Sequence, residues 1–154
     1  MWSRFLLCLF LTSLVGCFGR GSPTAPDGRM GFITVAAATV PGSAGPQIQT
    51  VVRDSASWTR TWSDLWAGRP PPEPAVDFSR EMVVVVTASE ICFGGVTIEA
   101  IEHSNGEFVV LYADAAPSLC LCVQPELSFH AVRLARTGAA PVFVPRVAPV
   151  LCPA

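Results

Sequence analysis

Six cysteines and two histidines are the side chains of this 154-residue chain with the widest reach of chemistry. Four of the thiols, Cys92, Cys120, Cys122 and Cys152, lie in its C-terminal part. Thiols pair as disulfides, hold a metal or attack a substrate, and each use asks for different neighbours. A structural zinc site is usually marked by a Cys-x-x-Cys knuckle, which is missing here. Cys120 and Cys122 stand two positions apart, so in an extended segment both point the same way and cannot bond each other without distortion. Each is expected to bridge to one of Cys92 and Cys152. Cys92 with Cys120 and Cys122 with Cys152 is the preferred pairing, and the crossed pairing stays open.

Hydrolytic chemistry needs a nucleophile, a base and a group that orients the base. His103 adjoins Ser104-Asn105-Gly106 and is expected at the surface, while His130 falls in mid-strand beside Phe129. No Gly-x-Ser-x-Gly, His-Glu-x-x-His or phosphate loop occurs. Asp77 and Glu81 can be written as paired carboxylates, but with Arg80 between them they read more simply as a charge cluster at a strand entrance. The sequence therefore points away from an enzyme and implies neither cofactor nor metal. All ten basic residues are arginines, set against twelve acids for a formal net charge of −2. A strongly basic face is excluded, and with it a nucleic-acid partner.

The elements that must hold these residues are organised around Met82-Val83-Val84-Val85-Val86, an apolar β-branched run that reads as a fully buried central strand. Gly94-Gly95 suits a turn or bulge before a strand at 96–101. Segments 32–40 and 47–53 read as strands flanking a turn-rich break and are expected to pair as a hairpin. Residues 56–67 carry a helical pattern, with Asp54 or Ser55 as N-cap and Gly68 as stop. Trp58, Trp62 and Trp66 recur every four residues, so the rings line one face, which is expected to dock on the sheet. Arg69 to Pro74 reads as a stiff polyproline link. Asn105-Gly106 marks a hairpin between 96–103 and 107–113. A further strand is expected at 126–135, with Val132 and Leu134 on one face, and a short edge strand at 141–145. The fold class is α+β, a mainly antiparallel sheet or sandwich with one Trp-rich helix packed on it.

The N-terminus reads as an export segment: Arg4, an apolar run at 5–11, and small residues before Cys17. Leu14-Val15-Gly16-Cys17 resembles the bacterial lipobox, which implies a signal peptide at 1–16 and a lipid-modified Cys17 in the cell envelope. Phe18 in place of Asp favours the outer membrane where a cell has one. Residues 17–29 hold the lipidated Cys and a Gly-, Ser- and Pro-rich tether with little to bury. Residues 30–154 are the size of one domain, and 51 % hydrophobic against 14 % charged residues argues for a packed core.

The order of these features resembles a bacterial family. Trp58-x-x-x-Trp62-x-x-Leu65-Trp66, the Pro-rich link, Val76-Asp77-Phe78-Ser79-Arg80-Glu81-Met82-Val83-Val84 and Gly94-Gly95 before a strand are similar to the C-terminal domain of the PrcB-type protease complex subunit family, over about 53–144. The resemblance implies a small exported or lipid-anchored, non-catalytic partner of a protease. The turn reads Phe93-Gly94-Gly95-Val96 where the family carries Thr-Gly-Gly-Tyr. This turn is the candidate partner-binding element. The expected function is a non-catalytic, lipid-anchored interaction or accessory module of the cell envelope, for which the resemblance implies a secreted protease as partner; the alternative is a protease inhibitor presenting residues 92–96, and an unrecognised enzyme comes third.

Overall fold

The computed structural model describes residues 28–41, 47–89, 95–104, 106–115 and 126–148. Its elements are β1 (Gly28–Arg29), β2 (Phe32–Pro41), β3 (Gln49–Val52), α1 (Ser55–Leu65), β4 (Glu81–Ser89), β5 (Val96–Ser104), β6 (Glu107–Ala115), β7 (Glu126–Ala135) and β8 (Pro141–Ala148). They form three layers. A middle sheet of order β2-β7-β4-β3 is packed between α1 and an outer sheet of order β1-β5-β6-β8.

The apolar run of β4 is continuous because both of its faces are covered. Val83 and Val85 meet Trp58, Trp62, Leu65 and Phe129 under the helix. Met82, Val84 and Val86 point the other way and meet Ile98, Ile101, Phe108, Val110 and Tyr112 of the outer sheet. Residues 82–88 are all buried. β7 lies beside β4 in antiparallel register, Val84 opposite Val132, and sends Val132 and Leu134 into the inter-sheet core as its alternation requires.

Helix α1 starts at Asp54, whose carboxylate accepts the Ser57 N–H at 2.8 Å and the Ser57 hydroxyl at 2.9 Å. It stops at Trp66, with Ala67 and Gly68 in the left-handed region and the Gly68 N–H closing on the Ser63 carbonyl at 2.9 Å. Trp58 and Trp62 are buried, with ring centroids 5.3 Å apart, and Trp66 meets Phe129 edge-on at 5.4 Å. The polyproline link does more than span a gap. Its carbonyls have no strand partner and accept the indole N–H groups, Pro71 from Trp62 at 2.9 Å and Pro74 from Trp58 at 3.3 Å.

The strands at 32–40 and 47–53 do not form the expected hairpin. β2 pairs with β7 and β3 with β4, so they occupy opposite edges of the middle sheet. β4 and β7 are buried along most of their length and take the centre, leaving β2 and β3 at the edges. The crossing is roughly 14 Å, three inter-strand spacings, which the chain between Pro41 and Gln49 can span at ~3.3 Å per residue. The hairpin at Gly106 forms as expected, with Ser104 opposite Glu107. The edge strand at 141–145 extends to Ala148 and runs parallel to β6.

His103, expected at the surface, is only 3 % exposed. The cause is a β-bulge between Ile98 and Ala100. Without it the inward set would continue from Val96 and Ile98 to Glu102; the extra residue reverses the alternation, so Ile101 and His103 turn inward and Glu102 outward.

Candidate interaction surface and the two ends of the sandwich

Cys17, Cys92, Phe93, Gly94, Cys120, Cys122 and Cys152 lie outside the described residues, as do the signal segment 1–16 and most of the tether. The strands leading toward the four C-terminal thiols can be placed. Ser89 pairs with Leu127, Val96 with Asp114 and Ala115 with Ala148. Across the sheets the Val96 N–H donates to Ser128 Oγ at 3.2 Å, and Gln47 reaches Asp114 at 3.4 Å. The chain therefore enters and leaves segments 90–94, 116–125 and 149–154 at one end of the sandwich. Gly28 pairs with His103 at the opposite end, next to the Gly106 hairpin. What precedes Gly28 departs from that second end.

The candidate turn is described only at Gly95 and Val96. Val96 is 4 % exposed and belongs to the inter-sheet core, so its side chain does not face a partner. It is apolar and starts the inward set of β5, so burial rather than contact is its role. Gly95 is required by a close approach: a Cβ there would stand 3.0 Å from Ser128 Oγ, the atom that holds the next residue's N–H.

The residues that suggested acid–base chemistry are engaged structurally. Asp77 Oδ1 accepts from the Ser79 N–H at 3.1 Å and the Ser79 hydroxyl at 2.5 Å, and Oδ2 accepts from Arg80 Nε at 3.0 Å. Those bonds, the serine hydroxyl's first, hold the Asp77 carboxyl below the usual carboxylate range. Glu81 accepts the Asp77 N–H at 3.2 Å and Arg133 Nη1 at 3.4 Å. Asp77 and Glu81 thus form the strand-entrance cluster. They border an open cleft of about 680 Å³ with Val76, Arg80 and Arg133, in which two guanidinium groups offset two carboxylates. Arg136 ties the same corner by donating to the carbonyls of Phe78 at 2.6 Å and Arg53 at 3.2 Å.

His130 is likewise committed. Its Nδ1 accepts the Ile98 N–H at 2.8 Å, so the proton sits on Nε2, which donates to Thr34 Oγ1 at 3.0 Å. Burial depresses its pKa below that of an ordinary imidazole. At the end of the sandwich marked by Ser89, Val96 and Ala115, burial raises the Asp114 carboxyl, and burial together with the Asp114 charge raises the Tyr112 hydroxyl, which accepts from Gln49 at 2.6 Å. No group of three or more metal-binding side chains gathers among the described residues.

No family model, no curated protein and no solved structure matches the chain. Its geometry is what remains to be read.

Among the described residues, one apolar surface is not covered by any element. On the outer sheet, Val109 stands opposite Val142 and Leu111 opposite Val144, all four directed away from the core. Val142 and Val144 are each 40 % exposed, and the other two are half-buried. The patch is flanked by the Arg146–Glu99 ion pair at 3.4 Å. Its signal was present in the sequence: Phe108-Val109-Val110-Leu111 and Val142-Phe143-Val144 are apolar at both parities, so one half of each set cannot be explained by the inter-sheet core.

The neighbouring edge of β8 is closed to strand addition. The Phe108 N–H bonds to the Ala140 carbonyl, and in the parallel register this directs the backbone groups of Val142, Val144 and Arg146 toward β6. The backbone groups of Pro141, Phe143, Pro145 and Val147 therefore point to the free edge, and two of these four positions have no N–H to offer.

Proposed function

We propose that the protein is a non-catalytic, lipid-anchored cell-envelope module that binds another envelope protein, an exported protease being the partner class implied by the family resemblance. The observation that carries this reading is the apolar face formed by Val109, Leu111, Val142 and Val144, left uncovered while the opposite side of the molecule is covered by α1. The acid–base candidates Asp77, Glu81 and His130 support it by their commitment to local structure. The lipid anchor rests on Leu14-Val15-Gly16-Cys17, and the outer membrane is the favoured site. Attachment through Cys17 would put the Gly28 end toward the bilayer and the thiol-bearing end away from it.

The test is photocrosslinking in intact cells with the reactive group at position 144, alongside a second probe at exposed Arg60 on the helix side. An adduct with one envelope protein from position 144 and none from position 60 is expected, and Val142→Asp should abolish it. If the captured protein is a protease, its turnover should be unchanged by saturating purified domain. Equal labelling from both positions rejects the face, and lowered turnover shifts the reading to an inhibitor.

A further inference from the structure

The free edge of β5 near the thiol-bearing end is not finished by a strand. β1 covers β5 only at Glu102 and His103, and the Met30 N–H bonds to the Ile101 carbonyl. Beyond that point the outward N–H groups of Val96 and Ile98 would be bare. Two side chains of the other sheet take them instead: Ser128 Oγ accepts from Val96 at 3.2 Å, and His130 Nδ1 accepts from Ile98 at 2.8 Å. Ser128 and His130 alternate on β7, so their spacing matches that of the two N–H groups they receive. Both are more than nine-tenths buried.

We propose that His130 is a proton-operated latch between the two sheets, holding the start of β5 when neutral and releasing it when protonated. The asymmetry is built into the ring. A neutral imidazole is one donor and one acceptor, and both are used here, by Thr34 and Ile98. A second proton would enter at Nδ1, turning the acceptor into a donor that faces the Ile98 N–H. Two donors then oppose each other in a buried position, and the N–H loses its only acceptor.

The ring's hydrogen-bond partners carry no charge. Thr34 faces the ring from β2 and Ile98 from β5, and Val86 of β4 stands beside it in register. None of them titrates. Arg133 of β7 and Glu81 of β4 are on the helix-side face and Glu99 of β5 is on the outer face; of the titratable groups that face the inter-sheet space, His103 lies five residues along β5 from Ile98, and Asp114 and Tyr112 of β6 are engaged with Gln47 and Gln49. Burial is accordingly the one cause that moves the His130 pKa, and it moves it down. The folded state thus binds its proton less readily than the unfolded chain. The contribution of the latch is fully present above about pH 6.5, the ordinary imidazole value, and is lost progressively as pH falls below it.

β5 begins directly after Gly95, so the segment released is the one that anchors the end of 90–94. The latch is independent of the partner-binding reading and stands or falls on its own. It is tested by amide hydrogen exchange on the mature protein, with rates corrected for intrinsic pH dependence and the Val84 amide in β4 as internal reference. Between about pH 8 and about pH 5, protection of the Ile98 amide relative to Val84 should fall by about tenfold, the scale of one lost buried hydrogen bond. In His130→Asn, whose carboxamide oxygen can stand in for Nδ1 and does not titrate, protection should be retained and flat with pH. A ring titration followed by nitrogen NMR in the unmodified protein should show the Nε2–H form with a midpoint below that of a free histidine. Unchanged Ile98 protection across the pH range, an equal loss in His130→Asn, or a midpoint above the free value each overturns the latch.

Discussion

The two outward faces of the sandwich are handled in opposite ways. The middle sheet hides its outer side under α1, where Trp58, Trp62 and Leu65 close over Val83, Val85 and Phe129. No element among the described residues covers the outer sheet in this way, although β6 and β8 place Val109, Leu111, Val142 and Val144 there. On the first face an apolar side chain contributes to folding; on the second it contributes little until something else arrives. The same residue types therefore carry different consequences according to which layer they point from.

That contrast is broken most directly from the covered side. Trp62→Ala should destabilise the domain by roughly 3–5 kcal/mol, since it removes a buried aromatic and leaves a cavity against Val85; thermal or denaturant unfolding measures it, and a near-native transition would show that the helix face is not structural. A finer cut compares two conservative changes. The Trp62 indole N–H reaches Pro71, whereas Trp66 Nε1 is buried with no hydrogen-bond partner among the described residues. Trp62→Phe should thus cost about 1 kcal/mol more than Trp66→Phe, the net worth of one hydrogen bond. Asp54→Ala uncaps α1 and should lower the melting temperature by less than Trp62→Ala. Its effect should shrink in acid. The Ser57 backbone N–H and hydroxyl hold the Asp54 carboxyl below 3.8, so its contribution is present above that value and disappears as pH falls through the lowered pKa.

The smallest effect on stability is expected from the bare face. Val144→Asp should shift unfolding by within ~0.5 kcal/mol, as for a surface position outside the core, yet remove the crosslinked partner. A large loss of stability from Val144→Asp would mean that this face, too, belongs to the fold.

Much of the covered half was legible because its signals are local. Asp54, the Trp stripe and Gly68 mark the helix within a few residues, and the run from Met82 to Val86 announces a strand with both faces buried. Strand partners were less legible. Nothing near 32–53 records that β4 and β7 will claim the middle of the sheet, so proximity in sequence suggested a hairpin that the structure replaces with two opposite edges. His103 was misplaced for a related reason: one extra residue at the β5 bulge reverses the alternation, and no residue type near Glu99 gives notice of it. The turn at 93–96 drew attention through its glycines, but Gly95 answers to the nearby Ser128 hydroxyl and Val96 to the core. The valine face escaped because a search for nucleophiles, metals and bases does not look for apolar residues left over after the core is filled.

The prolines of β8 set a limit on how these molecules meet one another. A sheet with a receptive margin can extend from one molecule to the next wherever two copies meet. Pro141 and Pro145 take two donors out of the β8 margin, so a second copy approaching along that edge finds no continuous ladder to complete. Contact between copies through this side of the outer sheet is thereby directed to its face rather than to the β8 edge.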